Sequence, residues 1–228
     1  VHPDPGIRKR LVSRYTLCVS DGQRTMISAE AWNARYADGS DGWTLERPPP
    51  VIAKVLAGGL LDAGGASLDS PRRVLVPGAG KGHDAVGWAS AGHEVVAVDW
   101  APLAIEHMQQ RVASGAPRFE ARRADVLALP EDLHASFDIV WEQTCLCALY
   151  PEMREDYVES MWRALRPNGE LIALLWNHGN PDGPPFDMSP ELIEELFTPR
   201  FDMGEPVPIG SLGERENEWI VRLSRRSE

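Results

Sequence analysis

The stretch Val74-Leu75-Val76-Pro77-Gly78-Ala79-Gly80-Lys81-Gly82-His83-Asp84 decides the architecture. Val74 to Val76 is a short apolar run without alternation, as expected of a strand covered on both faces. Three glycines spaced G-x-G-x-G follow at once, and a helix is predicted over about 83–91, closed by Gly92. Glycine lets a chain turn tightly and lets another group approach its backbone. The next apolar run, Glu94-Val95-Val96-Ala97-Val98-Asp99, reads as a second strand. Pro102 sits in the first turn of a following helix, with Ile105, Met108 and Val112 on one face.

The same alternation continues downstream. Residues 118–123 are expected to form a third strand and Phe137 to Trp141 a fourth. A long helix is expected from Pro151, with Met153, Tyr157, Met161 and Leu165 on one side. Pro167-Asn168-Gly169 reads as a turn and Leu171 to Trp176 as a fifth strand. A short helix is predicted from Ser189-Pro190 to Phe197, then a closing antiparallel hairpin of 205–209 with 218–223. Upstream, Ser28 is a good cap for a helix ended by Asp38 to Gly42, and a second helix is expected over 51–63 before Gly64-Gly65. Strand–helix alternation of this kind implies an α/β fold, a parallel sheet with helices on both faces. Ligands in such sheets bind outside the carboxyl ends of the strands. Residues 1–26 are set apart as an arm, and 27–228 as one domain, with a helical segment at 27–65 and the core at 72–228.

Composition narrows the classes. The chain has 228 residues, 43% of them hydrophobic and 25% charged, which is ordinary for a globular protein. Its formal net charge is −11, which repels phosphate backbones and argues against nucleic acid as a partner. The basic cluster Arg8, Lys9, Arg10 and Arg14 reads as a solvated arm, and no apolar segment follows it as in a secretory signal. No stretch reaches the roughly 20 apolar residues that span a bilayer, so no membrane is expected. Cys18, Cys145 and Cys147 fit neither a disulfide framework nor a zinc pattern. They are expected to be reduced thiols of a cytoplasmic protein, and no metal is expected.

The loops after the strands carry the chemistry. Asp99 follows Gly78 at the roughly 20-residue distance where an acid accepts hydrogen bonds from ribose hydroxyls. Capping of the Pro102 helix is the structural alternative for Asp99. Dinucleotide folds prefer G-x-G-x-x-G with a diphosphate on the helix N-terminus. Here the third glycine comes one residue early, and Asp84 opens the helix, where a carboxylate repels a diphosphate and suits an ammonium. A nucleoside with an amino-acid moiety and no phosphate fits, which points to S-adenosyl-L-methionine. Asp125-Val126 is placed to take the adenine amine and ring face. The run Glu142-Gln143-Thr144-Cys145-Leu146-Cys147 lacks the Asn/Asp-Pro-Pro-aromatic motif of enzymes that methylate base amines.

The stretch from Val74 to Asp99 resembles the first motif region of class I S-adenosylmethionine-dependent methyltransferases. The chain from about 29 to 221 resembles the thiopurine methyltransferase superfamily, and within it the thiol and halide methyltransferase branch. The matching runs are Leu75 to Asp84, Cys147-Ala148-Leu149-Tyr150-Pro151-Glu152-Met153-Arg154 and Asp182-Gly183-Pro184-Pro185-Phe186. The spacing Trp32…Tyr36…Trp43 resembles that family's N-terminal aromatic motif. The resemblance implies a Rossmann-like, mostly parallel seven-stranded sheet with an N-terminal helical lid. It implies a cofactor site at Trp32, Tyr36, Trp43, Gly78, Gly80, Gly82, Asp84, Asp99, Trp100, Asp125, Val126, Glu142 and Gln143, with Trp32, Trp43 and Gln143 at the reacting centre. This sequence departs from the plant members at Tyr36 (Trp), Gln143 (Tyr), Ala79 (Cys) and Thr44-Leu45-Glu46.

Trp32 and Tyr36 stand at i, i+4 and share a helix face, although Ile27 with Trp32 also fits a hydrophobic staple around Ser28. Methyl transfer to a soft nucleophile needs few protein groups, because the cofactor supplies the leaving group and a thiol is already a few per cent thiolate near neutrality. No catalytic triad is expected, and His178 past the fifth strand is expected to be structural or solvent-exposed. The expected acceptor is a thiol, thiocyanate or halide ion, and the expected product S-adenosyl-L-homocysteine. An aromatic thiol such as a thiopurine, a dinucleotide-dependent oxidoreductase and a non-catalytic nucleoside-binding module are the alternatives. A monomer is expected.

Overall fold

A computed structural model describes residues 28–58, 60, 61, 68, 70–210 and 215–227. The 1–26 arm, the Ile27 staple, Cys18 and the Gly64-Gly65 helix stop lie outside the described residues. Five parallel strands form the body of the sheet: β1 (Arg73–Pro77), β2 (Glu94–Asp99), β3 (Glu120–Arg123), β4 (Phe137–Gln143) and β5 (Leu165–Trp176). β6 (Phe201–Met203), β7 (Val207–Pro208) and β8 (Glu218–Arg225) complete it antiparallel. The order is β3-β2-β1-β4-β5-β8-β6, with β7 also on β8. The path therefore holds seven strands, as expected, and the eighth is a two-residue addition.

The helices are α1 (Ala29–Asp38), α2 (Pro50–Leu56), α3 (His83–Ser90), α4 (Pro102–Ala113), α5 (Arg154–Ala164) and α6 (Pro190–Phe197). Val74 and Val76 enter one core with Val51, Val55, Trp88 and Met108, while Leu75 enters the other with Tyr157, Met161 and Phe197. Adjacent strand residues thus face opposite helical layers, which is why β1 reads as a continuous apolar run. Burying each large apolar side chain contributes roughly 1.5–3 kcal/mol relative to leaving it in water.

Several elements differ from expectation. The second helix stops at Leu56, and Gly58 follows at φ 69°. β3 has only four residues because it is the sheet edge, so it lacks the two-faced burial that marks β1. Pro167-Asn168-Gly169 does not separate two elements. It lies inside β5, which pairs with β4 across a register shift, with Asn168 at φ 64°. The closing hairpin forms as β7 with β8, but the main partner of β8 is β5, over the seven pairs from Glu170–Ser224 to Trp176–Glu218.

Candidate active site

β1 lies between β2 and β4, so the chain crosses from one half of the sheet to the other at that point. The crevice opens there, as the sheet topology requires. Asp99 ends β2 and ties two loops together. Its Oδ2 accepts from the Gly80 amide at 2.9 Å and its Oδ1 from the Ala101 amide at 2.9 Å. The Trp100 amide also stabilises the carboxylate, and Asp99 lines the cavity. Burial raises its pKa, against the backbone donors that lower it.

The three glycines of the first loop turn out to serve neighbouring side chains. A Cβ on Gly78 would lie 2.7 Å from Cys145 Sγ, and one on Gly82 would lie 2.7 Å from Met108 Cγ. A Cβ on Gly80 would lie 3.1 Å from the Tyr36 hydroxyl. Of the three, Gly78 lines the cavity.

The segment before α2 covers the cavity. Ser28 Oγ accepts from the Ala31 amide and starts α1, and Gly39 ends it at φ 73°. Trp32 and Trp43 meet edge to face at 5.4 Å, and Tyr36 meets Trp43 at 6.0 Å. All three line the cavity with Trp100, Asp125, Val126, Glu142 and Leu127. Asp125 Oδ1 accepts from the Leu127 amide at 2.9 Å, which fixes that turn.

Glu142 is fully buried and its oxygens are engaged within the protein. Oε1 accepts from the Cys145 and Leu146 amides, at 3.0 and 2.9 Å, and Oε2 from the Tyr157 hydroxyl. Glu142 therefore shapes the loop after β4 that presents Thr144, Cys145, Cys147 and Ala148 to the cavity. Burial raises its carboxyl to about 7, against the hydrogen bonds that lower it.

The cavity wall also carries the apolar Leu149, Met153, Leu174, Leu175, Pro185 and Met188, together with the charged Arg215 and Glu218. Burial pushes the Cys147 thiol up to about 12 and the Cys145 thiol well above its usual value. Neither is a ready nucleophile.

The family model of thiopurine S-methyltransferase matches residues 27–223. The chain belongs to the thiopurine S-methyltransferase family. It is 31% identical over 177 residues to thiocyanate methyltransferase 1 of Brassica oleracea, covering 76% of this chain and 74% of that one. It is 28% identical over 185 residues to a thiopurine S-methyltransferase of Shewanella frigidimarina, covering 70% and 84%. The solved 1,6-didemethyltoxoflavin-N1-methyltransferase of Burkholderia thailandensis, bound to S-adenosylhomocysteine, superposes with a TM-score of 0.61 at 26% identity. That match covers 88% of this chain and 87% of that one. The protein is accordingly an S-adenosylmethionine-dependent methyltransferase with a Rossmann-like class I fold.

Four expected site residues are placed elsewhere. Gln143 ends β4 but does not line the cavity, because alternation along the strand sends its side chain away from Glu142's face. Its Oε1 is buried without a hydrogen-bond partner. Asp84 is withdrawn from the cavity and accepts from Trp141 Nε1 at 2.8 Å, so its expected role toward an ammonium is not supported. Desolvation raises it to about 6. Gly80 and Gly82 pack against Tyr36 and Met108 and do not line the cavity. His178 stacks on Trp176 at 4.4 Å, its Nδ1 accepts from the Asn180 amide, and it too is absent from the cavity wall.

Sequence reasoning missed Arg35 and Arg215, both on the cavity wall. Arg35 lies 5.1 Å over Trp32 and 5.6 Å over Trp43. Its signal was present, since it follows Trp32 by three positions and shares its helix face. Arg215 pairs with Glu218 at 3.1 Å, and nothing local in the sequence announces that its loop reaches the cavity. Among the described residues no helix is long and apolar enough to cross a membrane.

Proposed function

We propose that this methyltransferase transfers the S-adenosylmethionine methyl group to a small soft nucleophile, a thiol, thiocyanate or halide ion. One observation carries the reading. A single cavity joins Asp99, Trp100, Asp125 and Val126 to the aromatic cover of Trp32, Tyr36 and Trp43, and the rest of its wall is mainly apolar, with Arg215 and Glu218 on it. When bound, the cofactor supplies an electrophilic methyl group and a neutral thioether leaving group.

The chain's own residues do the rest. Asp99 would take ribose hydroxyls at the edge it turns to the cavity, and Asp125 would take the adenine amine between Trp100 and Val126. Trp32 and Trp43 would face the sulfonium, where an aromatic ring contributes about 0.5–2 kcal/mol toward a cation. The mainly apolar wall excludes water from an anion and a cation that react to give two neutral molecules, so little charge needs solvating at the transition state. Positioning supplies what remains of the rate. Arg35, stacked on Trp32 and Trp43, supports an acceptor that arrives as an anion.

The acceptor reading is checked by headspace gas chromatography with S-adenosylmethionine and iodide, bromide, thiocyanate, hydrosulfide and small thiols. Methylated volatiles are expected. None from that panel, with turnover of an aromatic thiol instead, would move the acceptor to the larger class. In the same proposal residues 27–228 work as a single domain, with 27–65 as its lid, and as a cytoplasmic monomer that does not bind nucleic acid. The formal charge of −11 and the free thiols Cys145 and Cys147 support those parts.

A further inference from the structure

The aromatic cover is held down by two polar contacts that take no part in the chemistry. The first comes from α1. Asn33 Oδ1 accepts from the Leu103 amide at 2.8 Å, in the first turn of α4. Helix α4 has no side-chain cap of its own at Ala101, so the cover segment caps it from 70 residues away. The second comes from the turn after α1. Asp41 Oδ2 lies 2.7 Å from Lys81 Nζ and also accepts from the Thr44 hydroxyl at 2.6 Å. Asp41 is only 7% exposed, while Lys81 keeps about a quarter of its side chain in solvent.

The targets of these contacts are the two loops that Asp99 already binds to one another. Gly80, next to Lys81, donates to one Asp99 oxygen, and Ala101, before the α4 turn, donates to the other. The cover, the glycine loop and the β2–α4 turn therefore close a ring of polar contacts around the nucleoside end of the cavity. Substituting Asn33 or Lys81 breaks the ring without altering Asp99, Trp32 or Trp43 themselves.

We infer that Asn33 and the Asp41–Lys81 pair are positioning residues that latch the aromatic cover over the nucleoside and so set how fast cofactor and product leave. The inference rests on the cavity reading above. The latch contacts exist only with the cover down, so their free energy adds to the barrier for release. Loss of a helix cap alone accounts for a change of roughly tenfold. The ion pair is a quarter exposed at Lys81 and is weakened by salt.

The test is S-adenosylhomocysteine dissociation, followed by stopped-flow tryptophan fluorescence, with steady-state kinetics alongside. Asn33→Ala is expected to release the product roughly tenfold faster, Lys81→Gln up to about fivefold faster, and both to raise KM for the donor, with KM for the acceptor unchanged at saturating donor. Asn33→Asp keeps the accepting oxygen and is expected to restore slow release. In the unaltered protein, salt is expected to speed release, and Lys81→Gln is expected to remove that salt dependence. The salt arm needs no variant to fold, and melting temperatures separate unfolding from release in the others. Unchanged release rates, together with loss of binding in Asp99→Ala, would overturn the latch and leave the cavity reading standing. No affinity of the unaltered protein for S-adenosylhomocysteine would overturn the cavity reading, and the latch with it.

Discussion

Asp99 accepts from the Gly80 and Ala101 amides, is further stabilised by the Trp100 amide, and still lines the cavity where a ligand would meet it. Asp99→Ala removes both functions together. Its calorimetric affinity for S-adenosylhomocysteine is expected to fall by at least about tenfold, since hydrogen bonds to a charged group are worth about 1.5–3 kcal/mol. Unchanged affinity would remove Asp99 from the site. Gly78 is constrained differently. At φ 58° it costs a side chain about 1–2 kcal/mol of backbone strain, and its Cβ would collide with Cys145 Sγ. Gly78→Ala is expected to lower the melting temperature, and adding Cys145→Gly is expected to recover only the collision part. The glycine spacing was legible in the sequence, but its reason was not. What each glycine makes room for comes from the loop after β4, from α4 or from α1, and a local pattern does not hold that information.

The loop after β4 shows how an element shapes the site. Glu142 collects the Cys145 and Leu146 amides, and Tyr157 reaches it from α5. Tyr157→Phe leaves a buried carboxylate oxygen without its donor, which costs about 1–3 kcal/mol. Thermal unfolding is expected to register that loss, and KM for the acceptor is expected to rise because Cys147 and Ala148 shift with the loop. A wild-type melting temperature and acceptor KM would show that Glu142 is satisfied without Tyr157. In the sequence, Glu142 and Gln143 stood together as site residues. Strand alternation separates them, giving Glu142 the cavity side and leaving Gln143 off its wall. Elements with strong periodicity, α4 and β2 above all, could be read from the sequence nearly to the residue. The edge strand β3 and the bulged start of β5 could not, because half-covered edges and bulges lack a clean repeat.

Over the whole molecule, the buried Glu142 and the half-buried Asp84 oppose high pH. Folding raises Glu142 from 4.5 to about 7 and Asp84 from 3.8 to about 6. Between the unfolded and folded values the native state holds more protons, so stability falls as pH rises through about 6 and 7. His83 acts in the opposite sense. Its Nε2 accepts from Arg111, and burial lowers it from 6.5 to about 4, so its contribution is lost as pH falls through that range. The melting temperature is therefore expected to be higher at about pH 6.5 than at pH 8, with Glu142→Gln flattening the difference. A rise toward pH 8 would contradict the assignment. The sequence by itself determined the strand–helix alternation, the five parallel strands and the glycine-loop and Asp99 pair, because buried strands and tight turns are dictated by neighbours in the chain; the strand Phe201–Met203 and the order of strands in the sheet were not legible there. Only the tertiary structure decided which acids face the cavity, that Arg35 and Arg215 reach it, and that Asn33 caps a helix 70 residues away. Those facts depend on contacts between distant segments, and chain order carries no record of the directions in which folded elements turn their side chains.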